Sequence, residues 1–263
     1  MVVLIYLLIG AFAGLVAGLF GVGGGLIIVP ILILSFTLQG LSTDVLTHLA
    51  IGTSLATIIV TSLSSVMAHH GKGAVDWDVF MKMAPGIVLG AWLGSLTADH
   101  LSGTVLQLLI GCLAILVALK MIFGLQTNSS GTLPGPPMLF VSGGVIGWVS
   151  TIFGIGGGSL SVPFFIRCNL LMQRAVATSS ACGLPIAVAG AMGNMWQGWG
   201  ETSLPSWSLG YVYLPAFLGI ICTSAVCAKL GANLAHRLPG DKLKKLFALF
   251  LLAIGIQFIL RNI

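Results

Sequence analysis

Two short glycine clusters are the residues of this sequence whose spacing is most suggestive of chemistry. They span Gly21–Gly25 and Gly154–Gly158, and each has the pattern Gly-x-Gly-Gly-Gly. Such clusters break helices and let a ligand approach the backbone closely. Amides at the start of the helix that follows a break carry partial positive charge and can point at an anion. We therefore predict an anion-binding role for six of these glycines: Gly23, Gly24, Gly25, Gly156, Gly157 and Gly158.

Five hydroxyl side chains follow the glycine clusters and can add hydrogen-bond donors to the same site. Four of them belong to the related stretches AIGTS and AVATS near the start of two apolar segments, and the fifth directly follows the second cluster. Serine and threonine in helices often bond to a preceding carbonyl instead, which is the alternative for these residues. The predicted binding hydroxyls are Thr53, Ser54, Thr178, Ser179 and Ser159.

Two ionisable side chains lie close to these motifs. Arg174 precedes Thr178 by four residues, which is about one helical turn, and can attract an anion from the cytoplasm. Its alternative is an ordinary basic residue at the membrane surface. His48 can titrate near neutral pH, but a histidine at a helix end in contact with water is the outcome that we expect. We therefore count Arg174, and not His48, among the predicted binding residues.

The elements that position these residues must lie in a membrane. Of 263 residues, 57% are hydrophobic and only 6% are charged, with six acids and eleven bases. Ordinary soluble domains have roughly a quarter of their residues charged. The bases lie in short gaps between apolar runs, which is typical of the positive-inside bias of membrane proteins and not of nucleic-acid binding.

Eight apolar segments make up most of the chain. Six have about 20 residues, the length of one helix across a bilayer core. The first and the fifth, Val2–Phe36 and Met138–Ile166, are too long for one crossing, and each holds a glycine cluster near its middle. The pattern predicts an all-α polytopic membrane protein with broken or re-entrant helices at both clusters. The other six segments are Leu49–Ala68, Val79–Ala98, Val105–Leu125, Ala175–Met195, Leu209–Ala228 and Leu243–Leu260.

The glycine clusters belong to an internal repeat. FGVGGGLIIVP (Phe20–Pro30) returns as FGIGGGSLSVP (Phe153–Pro163), an offset of 133 residues. AIGTS and AVATS follow in the same order. The sequence therefore predicts two homologous membrane repeats, residues 1–126 and 138–263, separated by a linker at residues 127–137 that is rich in Ser, Gly and Pro.

Charge predicts how the two repeats are oriented. If every segment crosses once, the eleven Lys and Arg divide seven to four between the two sides. If both long segments enter and leave on the same side, they divide ten to one, with only Arg261 opposite. The positive-inside rule favours the second division. We therefore predict inverted repeats, with the linker in the cytoplasm and both termini outside it.

The paired FGVGGG and FGIGGG segments, each followed by a proline and then by an A-x-x-T-S helix, resemble the sulfite exporter TauE/SafE family. The resemblance covers essentially the whole chain and includes both copies of the motif. It implies the movement of sulfite, sulfonates or related sulfur-containing anions across the cytoplasmic (inner) membrane.

These observations predict a secondary membrane transporter of small anions, a permease or exporter, and not an enzyme. Inverted repeats that meet at broken helices recur in such transporters. An anion channel is an alternative, because it can use the same breaks. A membrane-embedded enzyme is a weaker one, because no nucleophile–base pair or metal cluster stands out at membrane depth. We expect no cofactor, no metal and no nucleic acid; the expected partners are a small inorganic or organosulfur anion and the lipid bilayer, and a homo-oligomer is left open.

The six carboxylates all lie away from the middles of the apolar segments. Proton-coupled transporters often carry a carboxylate within the membrane, because such a costly group is kept for function. The sequence therefore leaves three options for the driving force: the anion gradient and membrane potential alone, coupling through His48, or protonation of the substrate.

Overall fold

The protein is built almost entirely of helices. The computed structural model describes residues 2–20, 24–71, 73–123, 133–235 and 240–262. Gly23 and most of the predicted linker therefore lie outside the described residues, and the division into two repeats stays a prediction. The first half forms α1 (Val2–Phe20), α2 (Gly25–Leu38), α3 (Thr43–His70), α4 (Trp77–Asp99) and α5 (Gly103–Ile122). The second half forms α6 (Pro136–Ile152), α7 (Gly158–Arg167), α8 (Met172–Gln197), α9 (Leu214–Ala235) and α10 (Gly240–Asn262).

Four of the described helices are long and apolar enough to cross a membrane on their own. They are α3, α4, α5 and α8, and shorter apolar stretches lie in α1, α2, α6, α9 and α10. Large apolar side chains such as Leu89, Leu116 and Val141 are exposed on the outside of the bundle. The predicted all-α polytopic membrane protein is confirmed.

Both overlong apolar segments are broken at their glycine clusters, as predicted. α1 ends before the first cluster and α2 begins within it; α6 and α7 flank the second in the same way. Gly24 and Gly154 have positive φ angles of 73° and 65°, which glycine adopts without the steric cost of a Cβ atom. The Tyr6 hydroxyl donates a hydrogen bond to Gln39 Oε1 at 3.1 Å, so α2 ends at the same end of the bundle where α1 begins.

A short hairpin corrects the predicted start of the seventh apolar segment. Ser208–Leu209 (β1) pairs in antiparallel fashion with Val212–Tyr213 (β2), and α9 begins only at Leu214. The amide of Tyr211 donates to the Asn194 carbonyl at 3.2 Å, and that of Tyr213 donates to Thr53 Oγ1 at 2.9 Å. The Tyr213 amide, which a helix beginning at Leu209 would direct to the Leu209 carbonyl, is thus bonded to α3 instead.

Helices of one half pack closely against helices of the other. α1 runs parallel to α9, because Tyr6 lies against Gly219 and Gly14 lies against Ser224. α4 also runs parallel to α6, because residues further along α4 lie against residues further along α6. Since α6 and α9 are the second-half counterparts of α1 and α4, this is one type of contact made twice.

Two counterpart pairs also pack against each other, with opposite chain directions. Gly52 near the start of α3 lies against Asn194 near the end of α8, while the Ser65 hydroxyl donates to Ser180 Oγ at 3.1 Å. α5 and α10 are likewise antiparallel, since the Asn262 side chain donates to Gln107 Oε1 at 3.0 Å. These directions are compatible with inverted repeats, and the inversion itself stays a prediction.

The contact between α4 and α6 provides a test of this packing. A methyl group at Gly90 would overlap the backbone carbonyl of Gly144, and overpacking of this kind typically costs about 1–3 kcal/mol. We expect Gly90→Ala to lower the thermal unfolding temperature in detergent by several degrees. At Gly144 a methyl group would make only an ordinary contact, 3.6 Å from the Gly86 carbonyl oxygen, so Gly144→Ala is the matched control. Equal unfolding temperatures for the two variants would contradict the described approach.

Candidate functional site

The two glycine breaks lie against each other inside the bundle. A Cβ atom at Gly25 would stand 2.7 Å from the carbonyl oxygen of Gly154 and 2.9 Å from Ile155 Cα. Ile58 of α3 is fully buried and contacts both breaks, 2.8 Å from such an atom at Gly25 and 2.8 Å from one at Gly156. The predicted glycines that the structure describes therefore lie together in one region, although they come from both halves. We call this region the glycine junction (Gly24–Gly25 and Gly154–Gly158).

Ser54 fastens α3 to the second break. Its hydroxyl donates to the carbonyl oxygen of Gly154 at 2.8 Å, and the side chain is fully buried. A backbone carbonyl released at a helix break needs such a partner when it is away from water. Ser54 therefore lies at the junction with its hydrogen donated to the backbone, and its predicted binding role stays a prediction.

Thr53 and Thr178 make equivalent hydrogen bonds in the two halves. Thr53 Oγ1 accepts the amide hydrogen of Tyr213, and Thr178 Oγ1 accepts that of Asp76, both at 2.9 Å. Tyr213 and Asp76 directly precede α9 and α4, which are counterpart helices. Each threonine thus satisfies a free amide at a helix start, and neither hydroxyl hydrogen has an acceptor among the described residues.

Ser179 reaches the second break through another serine. Ser161 Oγ lies 2.5 Å from the Gly157 carbonyl oxygen and 2.7 Å from Ser179 Oγ. Because a carbonyl can only accept, Ser161 donates to Gly157 and Ser179 donates to Ser161. Both serines are buried, and the chain of hydroxyls ties α8 to α7 and to the glycine junction.

Three buried hydroxyls beside the second break have no hydrogen-bond partner in the described part of the chain. Ser150 and Thr151 stand at the end of α6 and are fully buried, and Ser159 Oγ is buried in the first turn of α7. Burying an unpaired hydroxyl costs about 1–3 kcal/mol, so each such group needs an explanation. We call these three side chains the open hydroxyls, because they neither donate nor accept a hydrogen bond among the described residues.

Sequence reasoning identified Ser159 and missed Ser150 and Thr151. A signal was available, because the repeat offset of 133 places them opposite Ala17 and Gly18. The second half is therefore more polar than the first on both sides of its break. Thr151 Oγ1 also lies 3.1 Å from a Cβ position at Gly190, which directs it towards α8.

The N-terminus of α7 adds partial positive charge at the same place. α7 has ten residues, and Ser159 is its second residue. The Gly158, Leu160 and Ser161 amides donate to the Gly156 and Gly157 carbonyls, which leaves the Ser159 amide without an acceptor among the described residues. The start of the helix also carries the positive end of its dipole. Unpaired hydroxyls and partial positive charge at this break favour a group that only accepts hydrogen bonds and carries negative charge.

Two ionisable residues stand apart from the junction. Arg174 is exposed in the first turn of α8, whereas Thr178 one turn later is fully buried. His48, expected in water, is only 6% exposed, which corrects that interpretation. Its burial follows from the end of α4, because Nε2 lies 3.0 Å from the Ala98 carbonyl oxygen and 3.1 Å from that of Leu101.

The described residues contain no group of three or more His, Cys, Asp or Glu side chains placed to hold a metal ion. All five cysteines are free thiols. The candidate site therefore consists of hydroxyls, glycines and backbone amides.

A bundle of apolar helices in which broken helices meet around a few buried polar groups is the architecture of a membrane transporter. Comparison with known proteins agrees with this class. The chain matches the family model "Sulfite exporter TauE/SafE" over residues 6–258, and it belongs to that family. The protein is a multi-pass membrane transporter.

Curated relatives span nearly the whole chain. A "Probable membrane transporter protein" from Haemophilus influenzae is 38% identical, with 98% of each chain covered. "Probable membrane transporter protein YunE" from Bacillus subtilis is 29% identical, again with 98% of each chain covered. A relative from Methanocaldococcus jannaschii, "Probable membrane transporter protein MJ0441", is 25% identical over 97% of this chain and 94% of its own. No solved structure matches the chain significantly.

Stability measurements can separate the open hydroxyls from the structural ones. Thr151→Val removes a hydroxyl without a described partner and keeps the side-chain shape, so we expect the free energy of unfolding to stay unchanged or to rise slightly. Thr178→Val leaves the Asp76 amide without its acceptor and should cost about 1–3 kcal/mol. Thermal unfolding of both variants in detergent compares them directly. A loss of stability in Thr151→Val as large as that in Thr178→Val would show that Thr151 has a structural partner.

Proposed function

We propose that the protein is a secondary transporter, a permease or exporter, that moves small anions such as sulfite, sulfonates or related sulfur-containing anions across the cytoplasmic membrane. The observation that carries this proposal is the set of three open hydroxyls beside the second glycine break. We infer that the anion binds there, between the end of α6 and the start of α7.

The chemistry of these groups fits an oxyanion. A sulfite or sulfonate group presents three oxygens that only accept hydrogen bonds, and each open hydroxyl offers one hydrogen. Hydrogen bonds to a charged group are worth about 1.5–3 kcal/mol each, and a helix terminus adds up to about 2 kcal/mol in a partly buried setting. Because no formal positive charge is needed, binding of this kind is moderate and allows release.

The helix directions support an inverted arrangement of the two repeats. Counterpart helices α3 and α8 are antiparallel, as are α5 and α10, and the charge distribution places ten of the eleven bases on one side under this arrangement. In the inverted arrangement, the start of α3 and the hairpin that precedes α9 both lie outside the cytoplasm.

Reporter fusions test this topology. A reporter that is active only in the cytoplasm should be inactive when fused after Ile263 and active when inserted at Ser130. The reason is that ten of the eleven bases then face the cytoplasm, as the positive-inside rule requires. The same result at both positions would contradict inverted repeats.

Flux into proteoliposomes tests the anion site. We expect saturable uptake of sulfite or of 2-hydroxyethanesulfonate by the wild type, with counterflow that an open channel would not show. Thr151→Val and Ser159→Ala should each reduce the initial rate several-fold, because each removes one of a few small contributions. Ser64→Ala is the control, since Ser64 is exposed and bonds only to the Val60 carbonyl of its own helix. Rates equal to the wild type in both site variants would place the anion elsewhere.

A further inference from the structure

A second polar region lies at the end of the bundle where α3 begins and α4 ends. It is an open cleft of about 530 Å³, lined among others by His48, Asp99, Glu201 and Tyr211. None of its described lining residues is a lysine or an arginine, while two of the six acids of the chain face it. The cleft therefore favours positive charge, in contrast to the open hydroxyls.

The hydrogen bonds of His48 define the state of its ring. Nε2 lies within 3.1 Å of two backbone carbonyl oxygens, which can only accept, so Nε2 carries a hydrogen. In the neutral ring the lone pair is then on Nδ1. Nδ1 is buried and has no hydrogen-bond partner among the described residues. The ring also packs on Tyr211, with centroids 5.1 Å apart.

Several groups near His48 interact with charge. Its carbonyl partners lie at the C-terminal end of α4, which is the negative end of the helix dipole. A hydrogen bond from the Ser203 hydroxyl lowers the pKa of Glu201, which keeps this carboxylate charged. Burial, together with the Asp99 and Glu201 carboxylates, raises the pKa of Tyr211 to about 12, so the phenol stays neutral.

Two other titratable residues complete the surroundings. His100 follows α4, is exposed, and has Nδ1 2.8 Å from the Leu96 carbonyl oxygen of its own helix. Asp44 precedes His48 by one turn of α3, and its side chain lies outside the described residues. The described carboxylates that line the same cleft as His48 are thus those of Asp99 and Glu201.

We propose that His48 is a proton-binding residue and that its proton moves together with the transported anion; the second part rests on the proposed function. The proton adds to the Nδ1 lone pair, Nε2–H continues to donate to the two carbonyls, and the ring becomes an imidazolium with one positive charge. That charge offsets the charge of one monovalent anion, and Nδ1 gives its proton back to water on the side where the anion is released, so that one anion and one proton cross without net charge.

A continuous set of contacts joins this histidine to the glycine junction. Along α3, Gly52 lies against the carbonyl of Tyr211, whose ring packs on His48. The next residue, Thr53, accepts the amide of Tyr213, and Ser54 donates to Gly154. Six residues of one helix, about 9 Å, therefore connect the proton site and the second break.

The first experiment tests proton binding without any anion. The full chain, with ¹⁵N-labelled histidine, is placed in lipid nanodiscs, and His48→Gln identifies the signals of His48. The pH is lowered from about 8 to about 5, and the proposal requires that Nδ1 gain a proton within this range. An unprotonated Nδ1 throughout this range would overturn the proposal. Glutamine can still donate to both carbonyls, so the variant is expected to fold.

The second experiment measures coupling in proteoliposomes that contain a pH-sensitive dye. 2-Hydroxyethanesulfonate is the anion of a strong acid and brings no proton of its own. We expect its inward gradient to acidify the interior with the wild type, and His48→Gln to reduce this proton movement at least tenfold and to remove the pH dependence of the flux. His70→Gln is the control, because His70 lies at the other end of α3 and pairs with Trp77.

The outcomes separate the two proposals. Sulfonate flux without proton movement in the wild type overturns the coupling and leaves the anion-transport function intact. Absence of both sulfonate and sulfite flux at every pH overturns the proposed function and with it the coupling. In that case the nanodisc titration still decides whether His48 binds a proton.

Discussion

The arrangement of this protein depends on one constraint: backbone polar groups that are freed in the middle of a membrane must find partners within the protein. The two glycine clusters free such groups, and the bundle supplies partners from the helices around them. The Gly154 carbonyl receives the Ser54 hydroxyl and that of Gly157 receives Ser161. The breaks therefore have to meet inside the bundle, against α3 and α8, and could not face lipid.

This constraint divides the buried hydroxyls into two groups. Thr53 and Thr178 hold the chain just before α9 and α4, and they do so in the same way in both halves. The Ser150 and Thr151 hydroxyls have no hydrogen-bond partner among the described residues, and the first half has no hydroxyls at the equivalent positions. The threonine contacts thus occur in both halves, whereas the open hydroxyls occur beside the second break alone.

The sequence predicted the fold better than the site, for physical reasons. Helix breaks were predictable because glycine clusters and excess apolar length are local features, and the structure confirms both breaks. The hydrogen-bond partners of Thr53 and Thr178 were not predictable, since they are 160 and 102 residues away in the chain. The same holds for His48: its burial comes from carbonyls at the end of α4 that no local pattern reveals. Gly23 lies outside the described residues, and the binding roles of the other glycines stay predictions.

Neutral donors at the proposed anion site and a titratable ring elsewhere are compatible roles in one transporter. A permanent cation at the glycine junction would cost several kcal/mol to bury and would hold an anion too firmly for release. Hydroxyls and helix amides avoid both problems, but they leave the negative charge of the cargo uncompensated across the hydrocarbon core. A histidine at the end of the bundle can supply that compensation only when it is protonated. Because it shares α3 with Ser54, a change in its charge can act on the second break without any charged group entering the junction.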